Sequence, residues 1–322
     1  MPLQIGKDIA GIAKQSGKGS IAANPAFAFG LTGGGLSVAI SQDADPITSA
    51  YLSPSGAYRD KVENGASLQT RAWQKAIGLL LLGALGADSV TGSGPYTHTL
   101  TLGSSLPYLT IFEKKGDNAI MAVRDCKIDE LEISWDENKP LEVSIKAAGG
   151  VFSFPASFTP TNDESDTTNY YVPVGGTFKY DVDSATPVVA AVKAGKITIK
   201  RGAEAQYFSG AVEAGDVFEG GCAVEVSLTV LPDDTTLWRN VVTGAVGGTS
   251  IQTTPLYGSF EVTFTKGADS LKLAGSATAF LCDLPEADPA GGAAESELAG
   301  VAYRGAGATP ITATLINTIA SY

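Results

Sequence analysis

Residues Ser67–Gly86 read SLQTRAWQKAIGLLLLGALG. The first six, Ser67–Ala72, alternate as a short strand. Trp73, Ile77, Leu79, Leu80, Leu81, Leu82 and Leu85 then follow in a run of about 12 residues, long for a strand and ordinary for a helix. Apolar side chains cover nearly every face of that helix, so it must be buried, either in a core or under another subunit. Gly86 is a fitting stop, with Asp88 and a glycine-rich turn behind it. The same grammar returns at Ala223–Val230 (AVEVSLTV), a strand, and Leu231–Gly244 (LPDDTTLWRNVVTG), a shorter helix with its own glycine stop. The repetition implies an internal duplication.

The chain around these units has 322 residues, enough for about two domains. It is 44% apolar and 17% charged, and its 38 glycines, with abundant Thr, Val and Ser, favour short strands joined by turns. Net charge is −12, split as −2 over residues 1–150 and −10 over 151–322. An acidic chain does not grip nucleic acid through phosphates, because that binding rests on Lys and Arg releasing counterions. Three widely spaced cysteines, Cys126, Cys222 and Cys282, make no disulfide framework and read as small buried apolar residues. The first fifteen residues lack an apolar run of signal length, and Ile77–Leu85 falls far short of the ~20 residues that span a bilayer. The expectation is a soluble protein folding in a reducing compartment.

In chain order, residues 1–26 read as a polar arm, 27–150 as a first β domain, 151–170 as an acidic linker and 171–322 as a second β domain. The second domain carries a long Ala/Gly/Pro loop at 284–310, expected not to pack by itself. Phe27–Ile40 reads as two strands around a glycine break. Tyr96–Leu102 and Tyr108–Glu113 read as strands. Ile128–Trp135 and Leu141–Ile145 read as a hairpin, apolar on one face and charged on the other, so its sheet is dry on one side only. Strands are also expected at Gly176–Val182, Gly195–Arg201, Ser259–Thr265, Leu271–Phe280 and near the end of the chain. Ser41–Gly65 and Gly202–Gly221 read as corresponding long loops that, with residues 1–26, become ordered only on assembly. SGA at Ser55–Ala57 and Ser209–Ala211 supports the correspondence.

No catalytic pattern emerges. GKGS at Gly17–Ser20 has the wrong glycine spacing for a phosphate loop and no Ser or Thr after the lysine. His98 is the only histidine, which leaves little room for a triad or a histidine-based zinc cluster; on the apolar side of a strand it reads as a hydrogen-bonded structural residue. Glu130, Glu132 and Glu142 could in principle serve glycoside hydrolysis. Their neighbours are Ser and Lys rather than apolar side chains, so a solvated outer face is preferred. Glu225 and Glu261 occupy matching positions in the second half. Trp73, Trp135 and Trp238 are too dispersed for a stacking ladder.

Several blocks resemble a known family. PLQIGKDIAGIAKQSGKGS and AFAFGLTGG at the start, WQKAIGLLLLGALGA, SGPYTHTLTLGSSLPYLTIFEK, DCKIDELEISWDENKPLEVSIKAAG and the terminal TATLINTIASY are together similar to major tail tube proteins of long-tailed, siphovirus-like bacteriophages. The resemblance implies a mainly β fold: two tandem β-sandwich domains, each with a short flanking helix, plus extended loops and arms. It implies a structural virion protein without cofactor or catalytic residues. Such a protein is assembled in the host cytoplasm into stacked rings around a lumen through which DNA leaves the capsid. Its partners would be copies of itself, the tape measure protein during assembly, and the tail terminator and distal tail proteins. DNA would pass without specific binding, and no membrane is involved. Glu130, Glu132, Glu142, Glu225 and Glu261 are then the expected acidic lumen wall. A duplicated domain favours trimeric, pseudo-hexameric rings over hexamers of this chain. The alternatives are a two-domain adhesin-like decorating module and an enzyme built on the Glu cluster.

Overall fold

The computed structural model describes residues 8–44, 56–116, 119–137, 139–184, 186–232, 235–282, 295–304 and 309–322. In chain order the first half holds strands β1 (Ile9–Lys14), β2 (Phe27–Ala44) and β3 (Ala57–Arg71), helix α1 (Ala76–Leu85), then β4 (Gly86–Thr91), β5 (Tyr96–Leu102), β6 (Leu109–Lys115), β7 (Ala119–Asp136), β8 (Glu142–Gly149) and β9 (Val151–Ser153). A short β10 (Asn162–Asp163) lies between the halves. The second half holds β11 (Thr177–Asp181), β12 (Val188–Val189), β13 (Val192–Lys200), β14 (Glu204–Gln206), β15 (Asp216–Phe218) and β16 (Ala223–Val230), helix α2 (Thr236–Thr243), then β17 (Gly258–Lys266), β18 (Asp269–Cys282), β19 (Ser296–Ala302) and β20 (Thr312–Asn317). The fold is mainly β, as the composition requires.

Three long strands change partners along their length, and two of them, β2 and β7, pass from one sheet to another. The first part of β2 pairs with β1 and the rest with β3. The first part of β7 pairs with β6 and β9, and the rest with β8 and β13. The first part of β18 pairs with β17 and β20, and its end with β19. Register shifts mark the bends, as bulges do where a strand changes direction. One antiparallel run of eight strands results, in the order β2-β3-β8-β7-β13-β16-β19-β18. Its first four strands and its last four are connected in the same order, and the strand next to the first in each set leads into a helix. A second join between the halves is β20 against β5.

Helix α1 sits in the core, and all ten of its residues are buried. The expected run from Trp73 is shortened at its start, where Trp73 makes an isolated bridge to Tyr170. Each large apolar side chain of α1 contributes about 1.5–3 kcal/mol by leaving water. Its ends need partners, because a helix leaves amides and carbonyls unbonded there. No side chain of the helix's own cap residue supplies one. The Glu164 carboxylate accepts from the amides of Lys75 (3.2 Å) and Ala76 (2.9 Å). Arg201 reaches the other end, donating to the carbonyls of Ala84 (3.3 Å) and Leu85 (3.4 Å). An anion at the amino end and a cation at the carboxyl end both oppose the helix dipole. Gly86 closes the helix at φ 98°, which a side chain would strain, and its amide bonds to the Leu82 carbonyl. At Gly78 a Cβ would meet the Tyr322 ring at 2.1 Å. The glycine lets residues 317–322 lie on the helix, where the Tyr322 hydroxyl donates to the Lys75 carbonyl.

Several segments depart from the sequence reading. Ile9–Lys14, within the stretch read as an arm, is β1, paired on both edges. The segments read as long loops contain the outer parts of β2 and β3 and the β14–β15 hairpin; residues 1–7 and 45–55 lie outside the described residues. β19 lies inside the 284–310 segment and is central in its sheet, with Ser296, Leu298 and Ala302 buried. The small residues of SELAGVA hide a normal alternation. The stretch read as a linker is pinned at the start of β2, where the amides of Thr161, Asn162 and Glu164 donate to the carbonyls of Pro25, Ala26 and Ala28.

Burial pushes the Glu164 carboxyl above its ordinary 4.5, against the pull of its two backbone donors. The folded chain thus holds that proton more tightly than the unfolded chain. The stabilisation is complete below pH 4.5 and is lost as pH rises through the raised folded value. Stability relative to Glu164→Gln should therefore increase as pH is lowered from 7 towards 4.5, read by urea denaturation at each pH. A difference that stays constant would show that this carboxyl does not titrate in the window.

Candidate functional surface on the eight-stranded sheet

Alternation along the eight-stranded run sends Leu131, Ile133, Val143, Ile145, Ile197 and Val226 to the core. The opposite face carries charge. Across β8, β7, β13 and β16, Lys146 stands opposite Glu130, Glu130 opposite Lys200, Glu132 opposite Thr198, and Thr198 opposite Glu225. Lys146 Nζ is 2.8 Å from Glu130, Lys200 is 2.7 Å from Glu225, and Lys196 is 3.6 Å from Glu132. Ser227 donates to Glu297 at 2.8 Å. Glu130 holds the Lys146 ammonium above its ordinary value, and Glu225 does the same for Lys200. These are exposed pairs, each worth little alone. As cross-strand partners they favour this register over ones that set like charges opposite.

Four of the five glutamates picked from the sequence share this face: Glu130, Glu132, Glu142 and Glu225. Glu261 does not. It lies on β17, opposite Lys179 of β11, and its carboxylate meets Lys179 (2.8 Å) and Lys272 (3.5 Å). The shared face is of mixed sign. Arg71, Lys146, Lys196 and Lys200 stand among Glu130, Glu132, Glu142, Glu225 and Glu297. The lysines had a signal in the sequence: Lys196, Thr198 and Lys200 alternate in KITIK. Glu297 lay inside a segment read as loop.

The seam between β7 and β13 is closed from the core side by Trp135. Its ring stacks with Phe178 (5.9 Å) and meets Phe264 edge-on (5.4 Å), both from the second half. Gly195 faces it, and a Cβ there would lie 2.3 Å from the indole. Beside the seam, the β14–β15 hairpin rests on the first half. Lys127, 5% exposed, pairs with Glu219, and Asp216 meets Lys18 (2.7 Å) and the Tyr108 hydroxyl (2.8 Å). Burial, first, and Asp216 push the Tyr108 hydroxyl up to about 12.

The other residues weighed from sequence have structural surroundings. His98 is fully buried, with Nδ1 2.8 Å from Asp88 and Nε2 2.8 Å from the Ile319 carbonyl, to which it must donate. Gly17–Ser20 is a turn whose Gly19 amide bonds to Asp125. Cys126 and Cys282 are buried and Cys222 is half-buried. Among the described residues no group of His, Cys, Asp and Glu is arranged to hold a metal ion, and no helix is long and apolar enough to cross a membrane.

Hydrogen bonding to Lys179 is the main cause that draws the Glu261 carboxyl below its ordinary value. Lys179→Ala should raise it, seen as an upward shift in the Glu261 side-chain titration by NMR. An unmoved titration would mean that Lys272 alone sets it.

Compared with known proteins, the family model described as phage tail tube protein matches residues 9–314. No curated protein matches the chain.

Proposed function

The chain belongs to the phage tail tube protein family, and from that premise we propose that it polymerises into stacked rings whose lumen conducts DNA during ejection. The family makes it a structural component of the virion. The observation that carries the finer reading is the β7–β13 seam, where one four-stranded unit adds edge-to-edge to a second unit of the same connection order. Repeating that addition between chains generates a closed wall, and a closed wall removes the exposed sheet edges that otherwise invite aggregation. With two tail-tube-like units per chain, residues 27–150 and 171–322, three chains supply the six units of a pseudo-hexameric ring. Covalent fusion gives the internal seam a high effective concentration, so it forms first. Tape measure, terminator and distal tail proteins would meet the ring stack inside and at its ends.

In this reading the face bearing Glu130, Glu132, Glu142 and Glu225 lines the lumen. Its interleaved lysines are neutralised within the wall, so phosphates meet ion pairs rather than free cations and release few counterions on approach. Low retention of DNA then follows from pairing of charge rather than from a uniformly acidic surface. Glu261, on the other layer, is outside this face.

Native mass spectrometry of isolated rings should give three chains per ring; six would overturn the trimer. The triple change Glu130→Gln, Glu132→Gln and Glu225→Gln leaves Lys146, Lys196 and Lys200 without carboxylate partners. Tubes of that variant should retain duplex DNA at low salt and release it as salt is raised, whereas the parent tubes should not retain it. Equal, negligible retention by both would show that this face does not line the channel.

A further inference from the structure

Two strand edges of the eight-stranded run face no strand among the described residues. Ser37–Asp43 of β2 pair only with β3, and Ala279–Leu281 of β18 pair only with β19. Apolar side chains crowd both edges. Val38 is 39% exposed and Ile40 53%, although they share the strand face of Leu36, which packs against the core. At the other edge Leu281 is 75% exposed on the charged face, beside a groove of about 570 Å³ lined by Val301, Tyr303 and Ala299 together with Lys196, Glu225 and Glu297. Single exposed apolar residues mean little, but together with two unpaired strand edges they call for cover.

The internal seam supplies the geometry of that cover. Leu68 and Leu228 each stand eight residues before the first residue of their helix, α1 or α2, and so mark equivalent points. Leu68 lies opposite Gly34 and Ile145, and Ile145 opposite Leu131. Leu228 lies opposite Gly195 and Leu298, and Leu298 opposite Cys282. Gly34 thus corresponds to Gly195, and Leu131 to Cys282. In the internal seam Ile199 stands opposite Leu131 and Lys200 opposite Glu130.

We infer that β2 of one chain adds antiparallel to the end of β18 of a second copy of this chain. The register places Val38 opposite Cys282, Ala39 opposite Leu281, and Ile40 opposite Phe280. This rests on the ring reading and goes further by fixing which residues meet. Val38 and Ile40 then continue the core row of Phe280 and are covered by it. A slip of one residue would turn them to the opposite face, so the register is tightly specified. The two seams differ in chemistry. Where the internal one sets Lys200 opposite Glu130, the one between chains sets Ala39 opposite Leu281, without charge. Assembly across it is therefore less sensitive to salt than an ion-paired seam.

The test is the double change Ala39→Cys with Leu281→Cys in the full chain, oxidised in rings or tubes and run on a non-reducing gel. Both positions are exposed, so folding is not at stake. Directly opposed residues bring Cβ atoms within disulfide reach. The expected result is dimer and higher bands that a reductant abolishes, absent from either single variant, which controls for the native cysteines. Crosslinking confined to the shifted pairs Ser37→Cys with Leu281→Cys, or Ser41→Cys with Leu281→Cys, would overturn the register. Rings by electron microscopy without any of these crosslinks would overturn the seam and leave the ring reading standing. A chain that forms no rings would remove both.

Discussion

A helix with no polar face has to be enclosed, and enclosing it creates the constraint on which this fold turns. The flanks of α1 are satisfied by any apolar surroundings, but its ends are not. Buried amides and carbonyls without partners cost about 1–3 kcal/mol each. The partners arrive from far along the chain: Glu164 from the segment between the halves, and Arg201 from the end of β13. Residues 1–150 therefore cannot complete their own core. The β7–β13 seam, Trp135 in the aromatic cluster of the second half, and the β14–β15 hairpin on Tyr108 and Lys127 all follow from two halves that finish each other.

The same economy appears in the sheets. A strand of 18 residues such as β7 is long for a globular protein, and it persists because its two parts serve different layers. One part closes the core over α1, and the other carries the charged face. The ion pairs on that face give register without stickiness. Glu130, Glu132 and Glu225 each lie close to a lysine on a neighbouring strand, so that part of the surface is highly polar yet offers an approaching polyanion little net field.

Much of this was legible in the residues. Leucines on every side of a helix announced burial, and Ile128–Trp135 against Leu141–Ile145 announced a half-dry sheet, because periodicity records which side of an element meets water. β5 was read with its full limits from Tyr96–Leu102. Other elements were hidden for reasons that are equally physical. SELAGVA packs as a central strand because its neighbours fill the space that Ala and Gly leave, and small side chains give a weak period. The outer parts of β2 and β3 project beyond the core, so nothing forces alternation there. The shared face was picked out by its glutamates, but pairing with Lys146 and Lys200 depends on which strands are neighbours, and one chain's periodicity does not contain that. Glu164 and Arg201 carried no local signal, since the ends they cap lie 88 and 116 residues away.

The offset between equivalent strands has a consequence for size. The row of opposed residues that starts at Leu68 crosses Ile145, Leu131 and Ile199 and arrives on β16 at Val224, four residues from Leu228. One residue of stagger thus accumulates per strand. Around the proposed closed wall of three chains, that shear would equal the number of strands. Spacings of about 4.8 Å between strands and 3.3 Å along them then tilt the strands by about 35° to the axis. Twenty-four strands at that tilt would enclose a cylinder on the order of 45 Å across between backbones. In the proposed ring, the bore of the channel would follow from a four-residue slip inside a single chain.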